Sequence, residues 1–358
     1  MYEDLLLPQP SHVQTQVHHL PDENADNDEG SKALLQIMKE LVDDNLNHEI
    51  TFKPMVGGVT NTLFKSSFTN NKGNNKSVII RLYGKGSENL IDRKAESHIQ
   101  YLLSKNGVGP RFYGTFENGC IYGYIEGDQL QLEDLANRDK LKLIASEVSR
   151  WHSLDLDDLN REPAAFRYVR SWIKTSVHSL ETLGDIGLDL DYYIKESEHL
   201  IEFLKNRYQN ESKHVTFCHN DLIPRNMIYD NDNDQVRFID FEYSGYNYRG
   251  YDLGNFFCEF SGLDLDYSRY PTEETQKLFL KYYLSFQHGY NDISMVDSNE
   301  LHQLYIEANH FTLVSHLMWG FWGIVQSANS TIDFDYIDYS KKRFKQYDLV
   351  KNKVFDLK

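Results

Sequence analysis

The chain has 358 residues, 40% of them apolar and 13% aromatic, which exceeds what one core usually holds and predicts two lobes. Its formal charge of -17 argues against a nucleic-acid backbone or an anionic membrane surface as partner, since both repel it, and favours a small cationic ligand. Cys120, Cys218 and Cys258 are far apart with no CxxC pair, so neither a disulfide framework nor a zinc site is expected, and the compartment reads as reducing.

The opening MYEDLLLPQP carries Glu3 and Asp4 where a secretory signal needs basic residues, so cytoplasmic residence is the expectation. Residues 1–30, with PDENADNDEG almost free of large apolar side chains, are assigned to a disordered acidic tail. KALLQIMKELVDD has helical spacing, with Ser31 as N-cap. ITFKPMVGGVTNTLFKSSF predicts two strands through a Gly-rich turn, and KSVIIRLYG a third. A helix over IDRKAESHIQYLLSKNG closes at Gly107, and RFYGTF with CIYGYIEG predicts a hairpin.

After residue 127 the pattern turns helical: LEDLANRDKLKLIASEVSRWHSL, the amphipathic stretch 169–183, and LDYYIKESEHLIEFLKNRY. The clear strands there are HVTFCH, NMIYD and QVRFIDF. FTLVSHLMWGFWGIVQSA is the longest apolar stretch; Ser315, His316, Gln326 and Ser327 within it favour a buried helix over a membrane span. The fold class is α+β, with a small β-rich lobe at 31–126 and a larger helical lobe at 127–358.

The chemistry is concentrated in FCHNDLIPRNMIYDNDNDQVRFIDFEY, residues 217–243. Asp221 sits in a loop with Pro224, and Asn226 follows at the mouth of the next strand. NMIYD and QVRFID pair as a hairpin across NDNDQ, which returns Asp240 beside Asn226. Two carboxylates and an amide oxygen make a hard-oxygen site suited to Mg²⁺, or one carboxylate serves as a base. In kinase-like phosphotransfer the first Asp takes the hydroxyl proton while the Asn and the later Asp hold metal. Ordinary turns also use Asp and Asn, so HNDxxxxN alone is weak; IDFEY at the right distance strengthens it. His219 is expected to brace the loop.

Upstream, Gly57 and Gly58, followed by Thr60 and Asn61, would let backbone N–H groups approach ATP phosphates, although a plain hairpin uses the same glycines. Arg81 ends SVIIR where a protein kinase places its strand lysine. Glu96 on the next helix is its natural ion partner, the alternative being a solvated helix face.

On these motifs the chain resembles the choline/ethanolamine kinase family, related to protein kinases and aminoglycoside phosphotransferases, over most of residues 50–350. The resemblance rests on GGVTNTLFK, IIRLYG, CHNDLIPRN, IDFEYSGYNYRGYDLGNFFCEF, and WGFWGIVQS followed by IDFDYIDYSKKRF. It implies a protein-kinase-like two-lobe fold using ATP and Mg²⁺, with Asp221 as base and Asn226 and Asp240 as metal ligands. It further implies Arg81 at the phosphates, in agreement with the reading of Gly58, Thr60 and Asn61 as a phosphate turn and of Glu96 as the partner of Arg81. Tyr124 and Ile125 would lie at the adenine-side hinge, and Glu242, Glu259, Trp319, Trp322 and Tyr339 at the amine.

An ammonium group needs carboxylates or aromatic faces in place of water, at about 0.5 to 2 kcal/mol per cation–π contact. Trp319 and Trp322, three apart, also suit plain core packing. EFSGLDLDYSRYP after Glu259 looks like ethanolamine kinases, so ethanolamine is favoured, with choline left open. Glu242 in the Gly position of DFG, and the lack of an APE motif, argue against a protein substrate. The expected reaction is phosphorylation of the amino alcohol for phospholipid synthesis. The alternatives are an aminoglycoside or other small-alcohol kinase, or an inert kinase-fold scaffold, which would be expected to have lost a base or metal residue. A homodimer is implied by the family; nucleic acid and stable membrane insertion are not expected.

Overall fold

The computed structural model describes residues 11–17, 29–43, 46, 50–55, 61–69, 73–84, 93–156, 159–208, 214–330 and 332–357. The chain divides into two compact units, Met1–Glu126 and Gly127–Lys358.

In the first unit the elements run β1 (Ser11–Val13), α1 (Glu29–Leu41), β2 (Thr51–Met55), β3 (Asn61–Thr69), β4 (Asn75–Tyr83), α2 (Arg93–Lys105), β5 (Phe112–Phe116) and β6 (Gly119–Gly123). The sheet order is β1-β5-β6-β4-β3-β2, antiparallel except that β1 runs parallel to β5. β4 is flanked on both sides, which suits its apolar run: Val78, Ile79, Ile80 and Leu82 are all buried. Leu34, Ile37 and Met38 of α1 share one core with Phe64, Val78, Ile80 and Phe116 of the sheet. Helix α1 starts at Glu29, two residues before the expected cap.

The expected disordered tail, residues 1–30, is corrected in its middle and at its last two residues, where α1 begins. Ser11–Val13 forms a strand, Val13 and Val17 are buried, and the Asn118 side chain accepts from Val17 N at 3.0 Å and donates to Val17 O at 2.9 Å. Gly114 makes this possible, because a Cβ there would lie 2.4 Å from the Ser11 carbonyl oxygen. Composition missed the strand because its pairing partner is a hundred residues away.

In the second unit the elements are β7 (Asp128–Gln129), α3 (Arg138–His152), α4 (Ala164–Leu183), α5 (Leu190–Tyr208), β8 (Val215–Cys218), β9 (Met227–Asp230), β10 (Gln235–Phe238), β11 (Gly245–Tyr248), α6 (Arg249–Glu259), α7 (Glu273–His288), α8 (Ser298–Asn329) and α9 (Tyr336–Phe355). β10-β9-β7 form one small sheet and β11-β8 another. The predicted hairpin is present, with Met227 opposite Phe238 and Asp230 opposite Gln235. β11 was not anticipated.

Helix α8 is the centre of the helical core and packs against α4, α6, α7 and α9. Being covered on several sides, it needs no polar face, which explains its long apolar stretch. Gly254 lets α6 lie close against it, since a Cβ there would meet the Ala308 carbonyl at 2.3 Å. Among the described residues no helix is long and apolar enough to cross a membrane. All three cysteines are free and buried.

Candidate active site

One residue beside the predicted centre and one within it adopt left-handed backbone conformations: Asn220 at φ 68° and Asp240 at φ 65°. Such conformations cost roughly 1 to 2 kcal/mol each and are most accessible to Asn and Asp. The local fold holds Asn220 in place: its Nδ2 donates to Tyr243 O at 2.8 Å and its Oδ1 accepts from Asn247 Nδ2 at 2.7 Å.

The Asp252 carboxylate of α6 accepts the backbone N–H of His219 at 2.8 Å and of Asn220 at 2.7 Å. His152 of α3 lies 3.1 Å from the same carboxylate through Nε2. Cys218 completes a buried group with them, its Sγ 3.7 Å from His152 Nε2. Because Asp252 is spent on backbone donors, this group acts as a brace.

His219 also braces. Its Nε2 donates to Ile239 O at 2.9 Å, while its Nδ1 accepts from Asp221 N at 3.3 Å, which fixes the tautomer. Burial pushes its pKa below the ordinary value, against the pull of Asp252, so the ring stays neutral. It thereby ties the Asp221 loop to the residue preceding Asp240.

Asn226 donates Nδ2 to Asp221 Oδ2 at 2.9 Å and to Asp221 O at 3.0 Å. Its backbone oxygen accepts from Ile239 N at 2.9 Å, extending the hairpin ladder by one step, so Asp240 follows directly. The hairpin therefore brings Asp221, Asn226 and Asp240 to one end of β9 and β10, as the spacing predicted. Burial, then the carboxylates of Glu259, Asp240 and Glu242, push the pKa of Asp221 well above the usual range, with the Asn226 amide opposing. Four carboxylates thus share a strongly negative field that rewards bound cations.

Beside them is an aromatic wall. Trp319 is buried in the helical core at 5% exposure, and its Nε1 donates to Asn255 Oδ1 at 2.8 Å. Ser315 Oγ donates to the same oxygen at 2.8 Å. The Trp319 ring meets Tyr243 edge-on at 5.6 Å, Trp322 at 5.5 Å and Trp172 at 5.7 Å. Trp322 in turn meets Tyr339 at 6.0 Å and Tyr336 at 5.7 Å. Burial, then Glu242 and Asp221, raise the Tyr243 phenol well above its ordinary pKa, which places Glu242 beside this wall. Glu259 enters already paired: Arg343 Nη2 donates to its Oε1 at 2.9 Å.

Sequence reasoning missed Tyr243, Asn255 and Arg343, although all three lie inside the motifs EY, DLGN and KKRF. Trp172 carried no signal at all, since it reaches the wall from α4.

In the first unit Arg81 Nη1 donates to Glu96 Oε1 at 2.6 Å, and Arg93 Nη1 to Glu96 Oε2 at 2.8 Å. Arg81 and Glu96 are 6% and 3% exposed, so Glu96 is not part of a solvated face. Burial pushes the nearby Cys120 thiol up to about 11. Tyr124 carries Lys65 over its ring at 3.4 Å, and Ile125 beside it is half-buried. Asn61 opens β3 opposite Tyr83. Gly57, Gly58 and Thr60 lie outside the described residues.

A family model for choline/ethanolamine kinase matches residues 52–348. The chain belongs to the choline/ethanolamine kinase family. Among its relatives is a probable ethanolamine kinase B of Dictyostelium discoideum, 51% identical, with 100% of this chain and 99% of that protein covered. Of solved structures, a Plasmodium vivax ethanolamine kinase superposes with a TM-score of 0.74 at 26% identity, covering 91% of this chain and 90% of that one. A Cryptosporidium parvum choline kinase superposes at 0.78 with 24% identity, covering 91% and 96%, and bears on the fold alone. This choline/ethanolamine kinase family chain therefore has the expected α+β, protein-kinase-like architecture.

Proposed function

We propose that the protein transfers the γ-phosphoryl group of ATP to the hydroxyl of ethanolamine, accepting choline as a second substrate, and so supplies phosphorylated headgroups for phospholipid synthesis. The observation that carries this reading is Asp221, held by Asn226 and His219 in a field of three further carboxylates beside an aromatic wall. Ethanolamine is favoured by the acceptor-rich surroundings of the wall and by the likeness to a probable ethanolamine kinase.

Asn226 and Asp240 fit a magnesium site: the Asn226 nitrogen faces Asp221, its amide oxygen remains for a cation, and the donors are all oxygen. Bound there, Mg²⁺ would neutralise phosphate charge as a Lewis acid. The chain's own groups do the rest. Asp221 orients the substrate hydroxyl and takes its proton as the bond to phosphorus forms. Asp252 and His219 hold that loop so that little reorganisation remains at the moment of reaction. Trp319, Trp322, Tyr243 and Tyr339 present ring faces to the ammonium, with Glu242 supplying negative charge. Arg81, kept in place by Glu96, contacts ATP phosphates in the same reading; Gly58, Thr60 and Asn61 cradle them, and Tyr124 and Ile125 border the adenine. Cytoplasmic residence belongs to the proposal on the three free cysteines, which suit a reducing compartment, and homodimer formation on family resemblance alone.

The test is ADP release from ATP and Mg²⁺ with ethanolamine and with choline in parallel, with Asp221→Asn as control. Release dependent on amine and on Asp221 supports the reading, and no release with either amine sinks it.

A further inference from the structure

One buried side chain joins the amine-facing carboxylate to the aromatic wall. Arg343 of α9 is 1% exposed and uses its guanidinium in two directions: Nη2 donates to Glu259 Oε1 at 2.9 Å, and Nε donates to Tyr339 Oη at 3.1 Å. Glu259 closes α6, and Tyr339 sits one turn before Arg343 with its ring against Trp322. Two groups that the proposed amine site needs are thus fixed by a third that the sequence reading gave no role.

We propose that Arg343 is a positioning residue that keeps Glu259 an oriented carboxylate and sets the Tyr339 ring, so that it governs amine affinity and the choice between primary and quaternary ammonium rather than phosphoryl transfer. The inference rests on the amine-kinase reading above.

A buried carboxylate stripped of its counter-ion protonates or moves. The groups facing Glu259 or its partner are Arg343 and Tyr339 from α9, Tyr267 from the segment after α6, Tyr251 and Cys258 on its own helix, Asp221 from the catalytic loop and His316 from α8. Burial raises the Glu259 pKa and Arg343 opposes it; of the groups named, Arg343 is the one standing cation. Without it, burial favours the neutral acid unopposed. A primary ammonium then loses a charged hydrogen-bond acceptor, whereas a quaternary ammonium, which donates none, loses less. Lysine cannot replace the planar fork that serves Glu259 and Tyr339 together.

The experiment is steady-state kinetics of the full chain as wild type, Arg343→Lys, Arg343→Met and Arg343→Met/Glu259→Gln, with ethanolamine, choline and ATP varied in turn across pH. Arg343→Met is expected to raise the ethanolamine KM by about tenfold or more, the choline KM by less, and the ATP KM by under about threefold. Its kcat/KM for ethanolamine should gain a second limb rising with pH, beside the one that Asp221 gives the wild type, and the double variant should lose that second limb. Parallel changes for ethanolamine and ATP with a wild-type pH profile would overturn the inference, as would an equal loss for both amines. If the Met variant fails to fold, Arg343→Lys decides: a selective rise in ethanolamine KM supports the role, and a wild-type KM refutes it. Wild-type protein inactive on both amines would instead count against the kinase reading itself.

Discussion

The Asp252 carboxylate accepts the backbone N–H groups of both His219 and Asn220, at 2.8 and 2.7 Å, from a helix more than thirty residues further along the chain. The loop that presents Asp221 therefore hangs from α6. Asp252→Asn turns one acceptor into a donor facing an N–H. With charged hydrogen bonds worth about 1.5 to 3 kcal/mol each, it should destabilise the protein by about 2 to 4 kcal/mol. Urea unfolding with an unchanged m-value would show this, and a midpoint equal to wild type would refute the anchoring role.

Asp221 should carry an opposite trade. Its raised pKa means that its charge is held at a cost in a carboxylate-rich setting. Asp221→Asn should lower kcat by on the order of 10²- to 10⁴-fold while making the protein free of substrates more stable at pH 7, by about 1 kcal/mol. A carboxyl whose folded pKa is raised gains relative stability as pH falls, so the stabilising effect of the Asn variant should shrink on acidification. Thermal melts at pH 7 and below provide the check; a destabilised variant at pH 7 would contradict the electrostatic account.

Acid sensitivity should come from the helical core. Burial pushes His310 down to about 4, and its Nδ1 lies 2.7 Å from Tyr208 Oη. An unfolded His near 6.5 binds a proton that the folded one refuses, so stability is complete above that pH and declines as pH falls toward 4. The loss from His310 amounts to about 3 kcal/mol, and His316, also depressed by burial, adds to it. His310→Gln should flatten the pH dependence of the urea midpoint in this window by one proton. An unaltered slope would place the acid sensitivity elsewhere.

Trp322 stands at the open margin of the aromatic wall, touching Trp319, Tyr336 and Tyr339. Trp322→Ala should weaken amine binding by about 2- to 30-fold, the range of one cation–π contact, and choline should suffer more because it has no N–H to donate elsewhere. Calorimetric titration of both amines measures this directly, and equal affinity in the variant would remove Trp322 from the site.

Legibility tracked distance along the chain. The β9–β10 hairpin could be seen because its alternation flanks a polar turn, and the five-residue step from Asp221 to Asn226 is local. β11 could not, because GYNY becomes a strand only by pairing with β8, whose Cys218 lies opposite Gly245. The Arg343 and Glu259 pair spans 84 positions, and two buried charges meeting across helices leave no periodic trace. Trp172 was hidden for the same reason, while α8 concealed its facing direction by being buried on most of its sides.

Helix α6 carries Asp252, Asn255 and Glu259 at steps of three and four, on one stripe. Each holds a different part: the base-bearing loop, the Trp319 indole and the Arg343 guanidinium. With 1.5 Å of rise per residue, the stripe sets roughly 10 Å between its first and last anchors, as a rigid ruler. A single inserted residue would swing Glu259 about 100° out of line and lengthen nothing useful. On this frame the choice of amine can be altered by exchanging side chains, but not by stretching the helix, because any insertion breaks the alignment of all three anchors.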